Sequence, residues 1–248
     1  ISPFFIILHA KILSLYSSMD NIKFSEFFCI MLGDGNIYSN SKNGNHRIVI
    51  TGHSEEDYVY LVEYVKPIIK KLFGFNASLW KHKNKNAIAL AVYSKSFVNS
   101  LLKYGLVAGP KTMKIPKFVL KNKRQLASFL RGVGDTDFSV VFTKKKHSYP
   151  MITASFSNLV FVQKIKDLLF RFNINSNIYE VSKTIKGKTY LEYQIDIYGE
   201  KNLYSWLKYI GFSNPKHLTK IAVWKKFGFC PSKTTYKERL VILKQKTL

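Results

Sequence analysis

An α+β fold of two pseudo-twofold-related αββαββα repeats, each with its own antiparallel sheet, follows from three features of this 248-residue chain. Ser100 to Lys111 (SLLKYGLVAGPK) and Ser205 to Lys216 (SWLKYIGFSNPK) match at Ser, Leu, Lys, Tyr, Gly, Pro and Lys, with a residue gained and a residue lost between them. Chance rarely gives such a match, so the chain repeats itself. Phe27 to Gly35 (FFCIMLGDG) and Leu130 to Phe138 (LRGVGDTDF) are apolar segments that each close on an aspartate, Asp34 and Asp137. In YLEYQIDIY, Leu191, Tyr193, Ile195 and Ile197 alternate with Glu192, Gln194 and Asp196, the pattern of a half-buried antiparallel strand.

The elements follow in order. Phe24 to Leu32 and Leu126 to Val133 have helical spacing and head the two copies. His46 to Thr51, Leu90 to Tyr93, Val140 to Thr143 and Leu191 to Tyr198 alternate or run β-branched, as strands do. Val49-Ile50-Thr51 aligns with Met151-Ile152-Thr153, and Ala87 to Tyr93 with Tyr190 to Tyr198. Tyr58 to Phe73 and Val160 to Phe172 read as helices, the first flawed by Pro67. The expected organisation is an N-terminal extension over 1–18, a first repeat over 19–109, a connector over 110–123, a second repeat over 124–216 and a peripheral helical tail over 217–248. Met19 is a candidate start, since the chain does not open on Met.

Composition then narrows the partner. Lys and Arg number 39 against 15 Asp and Glu, a net charge of +24 spread along the chain rather than held in a tail. Polyanions are the natural partners of such a surface, nucleic acid foremost. A membrane is the weaker candidate, because no run of about 20 apolar residues is present. The two cysteines, Cys29 and Cys230, lie far apart in unlike contexts, and the six histidines show no metal-ligand spacing. A disulfide framework and a zinc site are therefore not expected, and a reducing intracellular compartment is. Pro3 to Leu8 is too short an apolar stretch, with no basic region before it, for a secretory signal.

In so basic a chain the two aspartates need a reason. A carboxylate beside apolar side chains is costly unless it is paired or bound to a cation, and the negative end of a helix makes matters worse. Cys29 and Gly33 in one predicted helix, and Gly132 and Thr136 in the other, recur four apart and so share a face. If those faces meet on the pseudo-twofold axis, Asp34 and Asp137 converge at the foot of the interface, where divalent cations such as Mg²⁺ relieve their repulsion. Such ions beside a phosphodiester activate water and stabilise the leaving oxygen.

These residues resemble the LAGLIDADG homing endonucleases in their single-chain, two-motif form. LGDG running into GNIY, GVGDTDFSV in the second copy, and the GPK and NPK turns carry the resemblance over nearly the whole chain. It implies that the motif helices form the central interface, that Asp34 and Asp137 are the catalytic, metal-binding acids, and that backbone carbonyls of Gly33 and Thr136 add ligands. Saddle-shaped sheets would lie in successive major grooves of a long, roughly pseudo-palindromic double-stranded DNA site. Hydrolysis across the minor groove would leave 3′ overhangs in the service of intron homing. Mg²⁺ is the implied cofactor, with Mn²⁺ as a substitute and Ca²⁺ supporting binding without cleavage, and a monomer is expected because one chain carries both motifs. The chain departs from the family at Phe138, where glycine is usual, and at Gly134, where a bulky apolar residue is usual. Asp135 matches the family's other motif acid, with Leu32 as its counterpart, and is read as structural.

The family places a polar or basic residue on a strand near the scissile phosphates. Here that position falls after Ile50-Thr51, on Gly52 and His53, so His53 is a candidate for ordering water, against the plain reading of an exposed loop histidine. Expected DNA contacts are Arg47, Lys81, Lys83 and Lys85 in the first copy and Lys144, Lys145, Lys146, Lys183, Lys186 and Lys188 in the second. Arg47, Asn36 and Gln194 are the candidates for reading base edges. An RNA maturase that assists intron splicing, or a DNA-binding protein that does not cut, is the competing expectation on the same fold.

Overall fold

The computed structural model describes residues 20–83, 85–143 and 148–245. The expected extension over 1–18, Met19 and the candidates Lys144, Lys145 and Lys146 lie outside the described residues. The first repeat runs α1 (residues 20–33), β1 (Gly35–Asn40), β2 (Asn45–His53), α2 (residues 58–73), β3 (Ser78–Lys81), β4 (Ala87–Tyr93) and α3 (Lys95–Lys103). A 3₁₀ turn at Lys117–Leu120 sits in the connector. The second repeat runs α4 (Lys123–Thr136), β5 (Ser139–Thr143), β6 (Tyr149–Phe156), α5 (Leu159–Phe170), β7 (Asn177–Ile185), β8 (Lys188–Tyr198) and α6 (Glu200–Tyr209). The predicted αββαββα unit is thus present twice. Helices α7 (Pro215–Phe227) and α8 (Tyr236–Lys244) follow.

Each sheet is antiparallel with four strands, ordered β1-β2-β4-β3 and β5-β6-β8-β7. Along β8 the predicted alternation is met only in part: Ile195 and Ile197 are buried, but Leu191 is exposed towards the β7–β8 turn, and Asp196, on the other face, is buried as well. Pro67 leaves its mark on α2 as foreseen. It has no N–H to donate, and the preceding Tyr60–Val65 stretch widens into a π-helix in which the Lys66 N–H reaches back to Leu61 O.

The strand hydrogen bonds correct one alignment. Ser94 N donates to His46 O in the first repeat, and Gly199 N donates to Pro150 O in the second. Asn36 faces Val49, as Ser139 faces Thr153. Val49-Ile50-Thr51 therefore corresponds to Thr153-Ala154-Ser155, two residues beyond the Met151-Ile152-Thr153 that sequence likeness picked. Pairing register outranks a three-residue match because a strand's face is set by its ladder.

The small residues on α1 and α4 meet as expected. A Cβ on Gly132 would lie 2.7 Å from Glu26 O and 2.8 Å from Cys29 Cβ, and one on Gly33 would overlap Thr136. The two departures from the motif also have a packing reason. A Cβ on Gly134 would lie 2.6 Å from Trp206, whose ring fills that space, and Phe138 packs against the same Trp206 ring at 5.5 Å between centroids. In the first copy the volumes are exchanged, with Met31 large and Gly35 small, and a Cβ on Gly35 would lie 2.6 Å from Met31 Cα.

The expected peripheral tail is not what α7 forms. His217, Ile221, Val223 and Trp224 are buried, and Trp224 Nε1 donates to Ser148 O. Arg239 of α8 is fully buried, with Nε donating to Thr219 Oγ1 at 3.0 Å and Nη2 paired to Glu56 Oε2 at 2.5 Å. Glu56 belongs to the β2–α2 turn, so this pair ties the end of the chain to the first repeat.

Candidate functional site

Both aspartates are set where a helix stops. Asp34 N–H donates to Ile30 O at 3.0 Å, and its carbonyl accepts from Thr51 N at 3.2 Å, which joins the end of α1 to β2. Asp137 is the C-cap of α4, its N–H donating to Val133 O at 2.9 Å. Because Gly33 and Thr136 let the helices touch, Asp137 reaches the foot of α1, with Oδ2 only 2.8 Å from the place a Gly33 Cβ would take. Burial, and then the Asp137 charge, push the Asp34 carboxyl up to about 7. Burial likewise raises Asp137, opposed by the Thr136 hydroxyl, which donates to Oδ2 at 2.8 Å, and by Lys111 and Lys216.

Those two lysines come from the repeated segments GPK and NPK. Lys111 Nζ donates to Gly33 O, and burial lowers its basicity against the pull of Asp137 and Asp34. Lys216 Nζ pairs with Asp57 Oδ1 at 2.9 Å. Burial works to raise the Asp57 carboxyl, but Lys216, Asn214 Nδ2 and the His53 N–H together hold it below its usual range. Sequence reasoning passed over both lysines, although each closes the same repeated turn and that symmetry was a usable signal. It also missed Glu26. That fully buried acid joins α1 to its surroundings by accepting from Tyr64 OH at 2.6 Å, Ser128 Oγ at 3.2 Å and Ser213 Oγ at 3.1 Å.

Asp135 points away from the acid pair. Its fully buried carboxylate accepts from Ser213 N at 3.0 Å and Asn214 N at 2.9 Å, fastening the start of α7 beneath α4. That is the structural placement expected of it. Among the described residues no cluster of three or more His, Cys, Asp and Glu has metal-binding geometry. The donors that do converge are the two raised carboxylates, both hard oxygen, beside a Gly33 carbonyl that accepts from Lys111 Nζ. They fit Mg²⁺ or a similar ion whose remaining ligands are water or phosphate oxygen.

Comparison with known proteins bears on this arrangement. Residues 124–211 match the LAGLIDADG-like domain family. A structure of mesophilic variants of the homing endonuclease I-DmoI superposes with a TM-score of 0.54 at 16% identity, covering 77% of this chain and 96% of that one. I-DmoI in complex with DNA and Mn gives 0.53 at 15% identity, over 77% and 97%. The chain has the LAGLIDADG fold. Two curated proteins of Methanocaldococcus jannaschii are also similar. A probable translation initiation factor IF-2 is 35% identical over 102 residues, 41% of this chain and 8% of that protein. A DNA polymerase is 25% identical over 208 residues, 78% of this chain and 11% of that protein. The chain thus spans about a tenth of the length of the curated relatives it matches.

In this LAGLIDADG fold the sheet faces turned from the core carry many of the expected contact residues. On the first, Asn36, Tyr38 and Arg47 share a side, and the Arg47 guanidinium lies 4.6 Å from the Tyr38 ring centroid. Lys81 alternates to the opposite side at the exposed edge strand β3, with Lys83 and Lys85 exposed beyond it. On the second sheet Gln194 and Lys183 share a side, and Lys183, opposite Tyr190, reaches diagonally to Glu192 at 3.9 Å. Lys186 lies in the exposed β7–β8 turn and Lys188 opens β8 just after it. His53 is exposed at the end of β2, its Nδ1 accepting from Glu55 N at 3.2 Å and Glu56 N at 3.3 Å. Among the described residues no helix is long and apolar enough to cross a membrane.

Proposed function

We propose that this chain is a site-specific, divalent-metal-dependent double-strand DNA endonuclease that leaves 3′ overhangs and serves intron homing. One observation carries the reading. Two buried, mutually repelling carboxylates, Asp34 and Asp137, stand at the ends of two helices that press together through Gly33 and Gly132. A protein of net charge +24 has no folding need for such a pair at the floor of its sheets, and it persists because a cation and a polyanion complete it.

In this reading Asp34 and Asp137, with the carbonyl of Thr136 and, once Lys111 turns from it to the phosphate, that of Gly33, hold Mg²⁺, and Mn²⁺ takes its place. When bound, the ions supply an activated water and a sink for the leaving oxygen. Lys111 and Lys216 stand beside the acids as fixed positive charges facing the phosphate. Asp57 and Asn214 keep Lys216 in place, and His53 orders solvent through its free Nε2. The outer faces of the two sheets lie in successive major grooves, held by Lys183 on the second sheet and by the strand-edge and turn lysines Lys81, Lys83, Lys85, Lys186 and Lys188. Both acids come from one chain, so a monomer suffices. The resemblance to I-DmoI solved with DNA supports the placement of the duplex at the fold level.

The test is selection of cut sites from a randomised duplex library with Mg²⁺, repeated with Ca²⁺. Expected are discrete cut sites with Mg²⁺, and the same sites bound but uncut with Ca²⁺. Asp34→Asn and Asp137→Asn each abolish cutting and keep binding. Failure to cut any duplex, or equal loss of binding in both variants, refutes the reading. Retention of intron RNA in place of duplex would favour a maturase.

A further inference from the structure

The outer face of the second sheet has a feature that the first lacks. Asp196 on β8 is only 2% exposed, although its place in the register turns it away from the core, between Thr153 and Asn177. Its carboxylate gathers hydrogen bonds from Thr153 Oγ1, from Tyr198 OH at 2.7 Å, and from Gln194 Nε2 at 3.0 Å to each oxygen. In the first sheet the matching positions are Ala91 and Ala89. Val49 faces Ala91 as Thr153 faces Asp196, and Thr51 faces Ala89 as Ser155 faces Gln194. The network is therefore confined to one half of the molecule.

A carboxylate only accepts, so it fixes which way the Gln194 amide points. Nε2 is turned toward Asp196, and both oxygens lie on one side of it. The two oxygens of one carboxylate lie close together whereas the two amide N–H bonds diverge, so both N–H groups cannot align on Asp196 at once, and Oε1 is turned from it. A fixed acceptor beside a free donor is the pair that complements the N6–H and N7 of adenine in the major groove. Left to itself, an amide presents either order. Asp196 removes that choice.

Resting on the DNA-binding reading above, we propose that Gln194 selects adenine at one base pair of the half-site beneath the second sheet, with Asp196 as its positioning residue. The half-site beneath the first sheet has no equivalent selection, so the target is asymmetric at that base pair.

The test is a bound-site selection with Ca²⁺ in place of Mg²⁺, run on the full chain, on Gln194→Ala, on Asp196→Asn and on the double variant, with thermal unfolding of each. The unaltered chain is expected to favour adenine over the other bases on the order of 10- to 100-fold at one position of one half-site. Gln194→Ala flattens that position alone. Asp196→Asn frees the amide to reverse and weakens the preference there, and in the double variant it adds nothing to Gln194→Ala. An unchanged preference in Gln194→Ala, a further shift in the double variant, or the same preference in both half-sites overturns the proposal. If Asp196→Asn does not fold, Gln194→Ala decides alone. Sequence-specific binding without this position sinks only this inference, whereas no sequence preference at all sinks both it and the endonuclease reading.

Discussion

Asp34→Asn in the metal-free protein should make the fold more stable while destroying its chemistry. The Asp34 carboxyl is pushed from the usual 3.8 up to about 7 by burial and by Asp137. The sign follows from proton counting. Across that window the folded chain holds a proton that the unfolded chain has released, so stability falls as pH rises from about 4 and levels off above about 7. A displacement of about three pH units corresponds to about 4 kcal/mol. Asparagine carries no charge and lacks this slope. The variant should therefore match the parent near pH 4 and exceed it by about 4 kcal/mol at pH 8, which is about 10 °C in Tm for a chain of this size. Saturating Mg²⁺ or Ca²⁺ should close much of the gap from the parent's side, since a cation at 100 times its Kd adds about 2.7 kcal/mol. The assay is thermal unfolding from pH 4 to 8 in EDTA and with each metal. If Asp34→Asn is no more stable than the parent at pH 8, or its advantage over the parent does not grow from pH 4 to pH 8, Asp34 is not the strained acid described here, since the raised Asp137 and Asp135 give the variant a slope of their own.

Lys111→Met should remove cleavage and leave duplex affinity within a few-fold, measured by nicking of a cognate site against a binding isotherm. Lys216→Met should also cost stability at pH 7, about 1 to 3 kcal/mol, because it leaves Asp57 buried without its cation. The contribution of the depressed Asp57 carboxyl is present above the unfolded value of about 4 and is lost as pH falls through the lower folded one, so the gap between parent and variant should shrink as pH falls below about 4. Gly132→Ala should destabilise by about 1 to 3 kcal/mol in urea unfolding, since its Cβ would lie 2.7 Å from Glu26 O. Glu56→Ala should cost about 3 to 5 kcal/mol by leaving the buried Arg239 unpaired, read as a lowered urea midpoint. Duplex affinity should fall with salt at a log–log slope near −9 if about ten phosphates are neutralised, and a shallow slope would remove the phosphate contacts from the account.

The sequence by itself determined the duplicated unit, the two aspartates at helix ends, the small residues that let the helices touch and the inward-facing Ile195 and Ile197 of β8. These are local patterns, and helix and strand periodicity write them directly into neighbouring residues. Tertiary structure alone decided the two-residue correction that makes Thr153 the counterpart of Val49, because a ladder joins strands whose separation no short match can measure. It alone brought Lys111 and Lys216 to the acids and seated Glu26 among Tyr64, Ser128 and Ser213. It showed that Gly134 and Phe138 exchange volume around Trp206. It also gathered Thr153, Gln194 and Tyr198 on Asp196. In most of these the partners are tens of residues apart or more, and their meeting depends on how the whole core packs rather than on any pattern a window of sequence contains.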